Sequence, residues 1–338
     1  MDSVPLPLLA IGEDKHIQSM NKPLQNLLGH HIMGRHYIAA LRQPKLLAQI
    51  ESVFETGGTR TARFLHRVDS ADVAYDVQVS RIDQGVLLAF QDRSATEEAI
   101  QSRRAFIANV SHELRTPLTA LLGFIETLQG AAKDDPDARA RFLDIMQSEA
   151  VRMTQLVDDL LSLSRVEQDR RVRPTDKIVL ADVLKAVLSE MEPLFKKADC
   201  EVALDIQAEK QDVHGDDQQL RQVIVNLVEN ALKYGGAGGV ITVKLAAPKF
   251  IAALKGDGVR LSVIDTGKGI APHHLPRLTE RFYRVDNHRS RAVGGTGLGL
   301  AIVKHIVQRH RGLLGIESEI NKGTTVSVSL PIVPKSHD

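Results

Sequence analysis

The chain has 338 residues, which is enough for two or three domains rather than one. Hydrophobic residues make up 43% and charged residues 25% of the sequence, a composition typical of a folded, soluble protein. The formal net charge of +1 gives no electrostatic reason to expect nucleic acid as a partner. The single cysteine, Cys200, excludes an internal disulfide framework and a multi-cysteine metal site.

The N-terminal residues 4–12 are apolar, but they are too few and too interrupted by proline to cross a membrane. They also lack the basic flank of a signal peptide. The sequence has no run of about 18 or more apolar residues, so no transmembrane helix is expected in it. We therefore expect a cytoplasmic chain, or alternatively the cytoplasmic portion of an inner-membrane protein.

Residues 1–94 are predicted to form a first domain of mixed α and β structure. Residues 64–66, 73–79 and 86–90 have the composition of strands, and glycine-containing turns separate them. Asp92 to Ser94 close this region and can cap a following helix.

Residues 95–170 are predicted to be purely helical. Apolar residues spaced three and four apart form a continuous seam; they are Val110, Leu114, Leu118, Leu121, Ile125 and Leu128. Gly130 and residues 133–137 interrupt the pattern before a second amphipathic helix begins. Two such helices bury little surface alone, so we expect this hairpin to pair with a second copy into a four-helix bundle.

On the first of these helices, His112 is surrounded by residues that could activate it as a nucleophile. With Val110 at zero on a helical wheel, His112 lies at about 200°, opposite the seam and towards solvent. Glu113 can accept the Nδ1 proton of His112, which would make Nε2 a better nucleophile. Thr116 lies one turn along the same face, and Pro117 frees a backbone carbonyl at that turn.

Residues 175–334 alternate between strands and helices and predict an α/β domain. A helix opens at Asp216 with a sequence similar to a capping box. On its polar side, Asn226, Asn230 and Lys233 fall within one stripe, at about 240°, 280° and 220° from Leu220. Amide oxygens can ligate Mg²⁺ and lysine can bind phosphate.

Two glycine-containing segments follow. A strand over residues 259–264 ends at Asp265, whose carboxylate can accept a hydrogen bond from an adenine amino group. Gly294 to Leu300 then lead into a helix, an arrangement that favours phosphate binding. The loop has no Walker A lysine, and no strand precedes it as in a dinucleotide-binding fold. The basic stretch 281–291 is interpreted as a lid over phosphates.

In this order, the motifs resemble those of the sensor histidine kinases of two-component systems, over residues from about 95 to 334. The corresponding segments are Phe106 to Pro117 for the H box, Asn226 to Tyr234 for the N box, Asp265 to Gly269 for G1, Glu280 to Arg284 for the F box and Gly295 to Leu300 for G2. The first region resembles a PAS sensor domain more loosely, and the arrangement is most similar to the phosphate-regulon kinases.

The resemblance implies a multidomain α+β protein: a PAS-like domain (1–94), a dimerisation and phosphotransfer hairpin (95–170) and a Bergerat-type α/β sandwich that binds ATP (175–334). His112 would take the γ-phosphoryl group of ATP with Glu113 as base, and pass it to an aspartate of a response-regulator receiver domain. Thr116 would orient water for the reverse, phosphatase reaction.

The resemblance also implies the cofactor site. Asn230 would ligate Mg²⁺, with Asn226 in support, and Asp265 would bind adenine. The residues implied to bind ATP are Asn226, Asn230, Lys233, Tyr234, Asp265, Gly267, Gly269, Arg281, Tyr283, Arg284, Gly295, Thr296, Gly297, Leu298, Gly299 and Leu300.

Two other classes of protein share parts of this pattern. One is an ATP-driven conformational machine related to gyrase, Hsp90 or mismatch-repair ATPases, which would leave His112 unmodified. The other is a non-catalytic signalling scaffold, against which the intact motifs argue. In the first region, His30, His31 and His36 offer a metal or haem site but are more simply surface residues. The absence of cysteine there excludes cysteine–flavin photochemistry.

Overall fold

The structure is a computed structural model that describes residues 4–68, 71–168, 172–209, 211–235, 238–285 and 295–333. The chain divides into two compact units, Met1–Ala108 and Asn109–Asp338. None of the helices among the described residues is both long and apolar enough to cross a membrane.

The first unit contains a five-stranded antiparallel sheet in the order β2-β1-β5-β4-β3, with three helices between β2 and β3. The elements are β1 (Leu8–Gly12), β2 (Ile17–Met20), α1 (Lys22–Leu28), α2 (Tyr37–Leu41), α3 (Pro44–Thr56), β3 (Thr59–Val68), β4 (Ala71–Ile82) and β5 (Gly85–Asp92). The three strands predicted from the sequence lie within β3, β4 and β5. β1 gives no alternating signal because all five of its residues are buried.

Asn21 connects the start of this unit to its first helix. Its buried side chain caps α1 by accepting from Leu24 N (3.2 Å) and also accepts from Leu8 N (2.9 Å). The same amide donates to the carbonyl of Leu6 (2.8 Å). One side chain therefore satisfies backbone groups of the N-terminal segment and of the helix.

The helical hairpin consists of α4 (Ser94–Gln129) and α5 (Pro136–Gln168). Helix α4 begins where the sequence predicts, with Ser94 N donating to Asp92 Oδ1 (2.7 Å), and it ends immediately before Gly130. It is helical on both sides of Pro117. Leu118 and Ile125 of the predicted seam are exposed, as is the neighbouring Leu122. The hairpin thus has an apolar face that the part of the chain described by the structure does not cover.

The rest of the second unit is an α/β sandwich, as predicted. Its main sheet has the order β12-β13-β11-β9-β7, with β10 paired to β11. Strands β7 and β9 are parallel, and the other pairs of strands that the structure describes in this sheet are antiparallel. The elements are β6 (Lys177–Val179), α6 (Leu180–Lys197), β7 (Glu201–Ile206), β8 (Asp212–His214), α7 (Asp217–Tyr234), β9 (Val240–Leu245), β10 (Lys249–Ile251), β11 (Gly256–Asp265), α8 (Gly299–Arg309), β12 (Leu313–Glu319) and β13 (Gly323–Pro331).

Helix α7 is capped and buried as its sequence predicts. Asp216 accepts a hydrogen bond from Gln219 N (3.1 Å), which satisfies one of the free donors at the helix start. An apolar stripe of α7 is buried, whereas Leu232 at its end is only half-buried; the buried residues are Leu220, Val223, Ile224, Leu227, Val228 and Ala231. Burial of this stripe turns the asparagine-bearing side of α7 towards the cavity described below.

Candidate active site

His112 lies on α4 with an exposed side chain, as the helical wheel predicts. One turn along, the hydroxyl of Thr116 donates to the backbone carbonyl of His112 (3.1 Å). Pro117 has no N–H to donate back to the preceding turn, so the backbone there has a missing hydrogen bond. The helix therefore presents an accessible imidazole at a locally weakened turn.

Glu113 is held by two arginines. Its Oε2 accepts from Arg152 of α5 (3.4 Å) and from Arg284 (3.3 Å), and the Arg284 side chain is only 6% exposed. No contact among the described residues joins Glu113 to the imidazole of His112, because consecutive helical side chains point about 100° apart. The sequence did not indicate either arginine contact.

A cavity of about 350 Å³ lies between α7, the ends of β11 and β13, the segment 278–285 and the loop before α8. Most of the predicted nucleotide-binding residues line it: Asn226, Asn230, Lys233, Tyr234, Asp265, Gly269, Tyr283, Arg284, Gly295, Thr296, Gly297, Gly299 and Leu300. Three do not. Leu298 is fully buried, Gly267 donates its backbone N–H to Asp265, and Arg281 forms an ion pair with Glu167 of α5.

The polar face of α7 supplies amides and a lysine to this cavity. The buried Nδ2 of Asn226 has no hydrogen-bond partner among the described residues, although a buried amide normally has one. Gly299 lies close to the same side chain, since a Cβ there would be 3.3 Å from Asn226 Oδ1. Lys233 pairs with Glu229 one turn before it (2.8 Å). An unpaired buried amide beside a glycine loop fits a polar ligand.

Asp265 lies at the end of β11 and is nearly fully buried. Its Oδ1 accepts from Gly267 N (2.8 Å) and Thr324 N (3.3 Å), which fixes the orientation of the carboxylate. Burial raises the pKa of Asp265, and the two backbone hydrogen bonds oppose that rise. The described hydrogen bonds both use Oδ1, so Oδ2 is available to an amino group in the cavity.

The glycine loop packs directly on the F-box segment. Phe282 N donates to Gly297 O (2.8 Å), and both residues have positive φ, 64° and 73°. A Cβ on Gly297 would lie 2.9 Å from Phe282 Cα. Nearby, the hydroxyl of Tyr283 contacts His274 Nδ1 (2.5 Å), and Arg277 stacks on the tyrosine ring. Arg289 and Arg291 of the predicted lid lie outside the described residues.

Helix α5 contributes two cavity residues that the sequence did not indicate, Gln155 and Asp159. Asp159 is 5% exposed, and its Oδ2 accepts from the hydroxyl of Thr296 (2.6 Å) while Oδ1 accepts from Gln155 (3.2 Å). Burial raises the pKa of Asp159. A polar residue of an amphipathic helix is normally solvent-facing, so no signal in the sequence distinguishes Asp159. Glu229, Lys268 and Ile270 are further lining residues outside the predicted set.

Two family models match the chain. Residues 102–169, which include His112, match the His Kinase A (phospho-acceptor) domain. Residues 215–334, which include most of the cavity, match the histidine kinase-, DNA gyrase B- and HSP90-like ATPase family. The chain belongs to the sensor histidine kinases of two-component systems.

Curated proteins similar to this chain are also sensor kinases. The chain is 41% identical over 239 residues to the phosphate regulon sensor protein PhoR of Pseudomonas aeruginosa, covering 71% of this chain and 52% of that protein. It is 30% identical over 336 residues to the sensor protein SrrB of Staphylococcus aureus, covering 96% of this chain and 54% of that protein. The similarity to phosphate-regulon kinases is confirmed, and the chain spans about half the length of these curated relatives.

A solved structure shares the fold of the kinase. It is the histidine kinase ThkA in complex with the response regulator protein TrrA, with a TM-score of 0.55, 22% identity and coverage of 98% of this chain and 97% of that one. At this identity the likeness concerns the fold.

Proposed function

We propose that the kinase transfers the γ-phosphoryl group of ATP to Nε2 of His112 and then to an aspartate of a response-regulator receiver domain. One observation supports this most directly. Arg284 lines the candidate nucleotide cavity and also bonds Glu113, the residue next to the exposed His112. The phosphoacceptor and the cavity are therefore neighbours within one compact unit.

In the first step, Nε2 of His112 bonds to the γ-phosphorus while the bond from that phosphorus to the β-phosphate oxygen of ADP breaks. Glu113 takes the Nδ1 proton, as a general base for an imidazole nucleophile. Proteins catalyse such transfers chiefly by positioning the reactants and neutralising charge.

The residues that line the cavity are assigned roles in binding ATP from their contacts and from the family resemblance. Oδ2 of Asp265 accepts from the adenine amino group, and the glycine loop from Gly295 to Leu300 holds phosphates with backbone N–H groups at the start of α8. Lys233, Tyr234 and Arg284 contact the nucleotide. The unpaired Nδ2 of Asn226 can donate a hydrogen bond to a phosphate oxygen. The side-chain oxygen of Asn230 is assigned to Mg²⁺, which would neutralise phosphate charge when bound.

Thr116 is assigned to the phosphatase reaction, in which it orients a water that attacks the phosphorus of the regulator's phosphoaspartate; the bond to the aspartate oxygen breaks and inorganic phosphate leaves. Its hydroxyl lies one turn from His112, on an exposed part of the same helix. The kinase would act as a homodimer, with the uncovered apolar face of the hairpin paired to a second copy.

The first unit is proposed to be a PAS-type sensor domain that controls the balance of the two reactions. The domains would span residues 1–94, 95–170 and 175–334. We place all three in the cytoplasm.

The test is incubation of the full chain with Mg-ATP labelled in the γ-phosphate. We expect acid-labile, alkali-stable label on the protein that is lost in His112→Ala. Asp265→Asn should also lose most of the label, because it presents an amide N–H to the adenine amino group. Asp257→Asn is the matched control, since this aspartate is exposed on the same strand.

Other outcomes would favour the other two classes. ATP hydrolysis without label on the protein would replace the proposal by an ATP-driven conformational machine. Neither hydrolysis nor label would indicate a signalling scaffold. Label that persists in His112→Ala would show that a different residue accepts the phosphoryl group.

A further inference from the structure

Three carboxylates of the helical hairpin bind residues of the ATPase-family domain. Glu113 bonds Arg284 (3.3 Å), Asp159 bonds the hydroxyl of Thr296 (2.6 Å), and Glu167 forms an ion pair with Arg281. We call Glu113, Asp159 and Glu167 the hairpin carboxylates. They come from both helices of the hairpin and span more than 50 residues of sequence.

Two of the three reach groups of the cavity itself. Thr296 lies in the glycine loop and Arg284 in the F-box segment, and both line the cavity, as does Asp159. The side chain of Asp159 is almost completely buried in this position. A carboxylate of the hairpin is thus enclosed in the same cavity that receives the nucleotide.

Carboxylate and phosphate compete for the same kinds of donor. Both are anionic oxygen acceptors that bind arginine and hydroxyl groups through charge-assisted hydrogen bonds. A phosphate next to the enclosed Asp159 would meet like charge in a poorly solvated environment, where repulsion is strong. Arg284 would likewise have to leave Glu113 before it could bind phosphate with the same N–H groups.

We propose that the hairpin carboxylates act as intramolecular competitors of nucleotide phosphate, so that docking of the hairpin on the ATPase-family domain and binding of Mg-ATP oppose one another. The proposal rests on the assignment of the cavity as the nucleotide site. Because coupling between two binding events is reciprocal, nucleotide loosens the docked state to the same extent that docking weakens nucleotide binding.

The competition has a consequence for catalysis. In the docked state, Oε2 of Glu113 accepts hydrogen bonds from two arginines, so this oxygen is engaged by arginine rather than by the imidazole of His112. Loss of the Arg284 contact removes one of them. Entry of nucleotide would therefore free the base that the transfer to His112 needs, and a kinase without nucleotide would rest in an inactive, docked state.

The test compares affinities of the full chain for Mg-AMPPNP by isothermal titration calorimetry. Asp159→Asn keeps the size of the side chain and an acceptor for Thr296 but removes the charge. Glu167→Gln weakens docking at a residue that does not line the cavity. Asp158→Asn is the matched control, because this neighbouring aspartate of α5 is exposed. Thermal unfolding of each variant verifies folding.

We expect Asp159→Asn and Glu167→Gln each to bind Mg-AMPPNP on the order of fivefold to tenfold more tightly than wild type, within the usual range of coupling between sites. Asp158→Asn should match wild type. Unchanged affinity in Asp159→Asn would overturn the proposal, and weaker binding would show that Asp159 helps to hold the nucleotide or its metal. If Asp159→Asn binds more tightly but Glu167→Gln does not, Asp159 only repels the nucleotide locally, and the proposed competition between docking and nucleotide is overturned.

Failure of the proposed function has a different signature in the same experiment. If the wild-type chain and all three variants show no binding of Mg-AMPPNP, then the cavity is not a nucleotide site and the competition cannot operate. Measurable wild-type binding that the variants leave unchanged would retain the nucleotide site and overturn only the competition.

Discussion

At the scale of single residues, the sandwich places polar side chains inside its core and satisfies them from the backbone. His310 is fully buried at the end of α8. Its Nε2 accepts from Asp216 N (3.1 Å), and its Nδ1 lies 2.8 Å from the carbonyl of Ile306, to which it donates. Both contacts can form only when the ring is neutral, with its proton on Nδ1. His310 thereby connects the C-terminus of α8 to the start of α7.

His310 should make the stability of the sandwich depend on pH. Burial lowers the pKa of His310 below its ordinary value of about 6.5. Above that value the residue is neutral in both folded and unfolded chains. Below it, only the unfolded chain binds the proton, so the free energy of unfolding should fall by up to about 1.4 kcal/mol per pH unit until the folded pKa is reached.

The measurement is urea unfolding between pH 7.5 and 5, followed by circular dichroism because the chain has no tryptophan. His310→Gln should be less stable at pH 7.5 and should lose stability less steeply on acidification. His273→Gln removes an exposed histidine of the same unit and should keep the wild-type slope. Equal slopes in wild type and His310→Gln would contradict the prediction.

At the scale of elements, the contact between the glycine loop and the F-box segment depends on backbone shape. Phe282 and Gly297 both have positive φ and are joined by a backbone hydrogen bond. Glycine tolerates this conformation because it has no Cβ. At Gly297 a Cβ would also be only 2.9 Å from the backbone of Phe282, so the two segments can approach closely only around glycine.

Gly297→Ala should therefore separate the loop from the F-box segment. We expect a loss of about 1–3 kcal/mol in the free energy of unfolding and a nucleotide affinity reduced by about tenfold or more. Gly238→Ala is a matched control, because Gly238 has nearly the same φ of 72° but no atom within 4 Å of an added Cβ. It should incur only the backbone strain.

Thermal unfolding and calorimetric titration with Mg-ADP, performed on both variants, separate strain from steric contact. The prediction requires that only Gly297→Ala lowers the affinity. If both alanine variants bind Mg-ADP with the same affinity, the close approach of Gly297 to Phe282 does not contribute to nucleotide binding.

At the scale of the whole molecule, the hairpin has an apolar face that the described residues of this chain leave exposed. Leu118 and Leu122 of α4 are 51% and 55% exposed, and Leu161 of α5 is 52% exposed. Exposed apolar side chains aligned along a helix are typical of an interface. This arrangement supports the proposed pairing of two hairpins into a four-helix bundle.

Replacement of Leu118 and Leu122 together by glutamate should dissociate the proposed homodimer. Burial of a leucine stabilises by about 1.5–3 kcal/mol, so removal of two per chain should raise the dimer dissociation constant at least about 100-fold. Light scattering after size-exclusion chromatography measures the mass. Thr119→Glu, at an exposed position between them, should remain dimeric. A double variant that keeps the dimeric mass would place the interface elsewhere.

Several features followed from the sequence because they depend on neighbouring residues. The apolar seam and its interruption at Gly130 predicted α4 and its end, and the aspartate at position 216 predicted the start of α7. The spacing of Asn226, Asn230 and Lys233 placed them on one side of α7, and the structure places all three at the cavity. Periodicity and capping are local properties, so one sequence is enough to show them.

The tertiary structure decided which distant groups meet. The contacts of Asp159 with Thr296 and of Glu113 with Arg284 join residues 137 and 171 positions apart, and no local pattern encodes them. Strand β1 likewise has no period because it is buried on both faces. The sequence by itself determined the helix that carries His112 and the motifs that line the cavity. Only the packing of the hairpin against the cavity decided that the carboxylate of Asp159 lies inside it, because burial of a side chain depends on elements that are distant in the sequence.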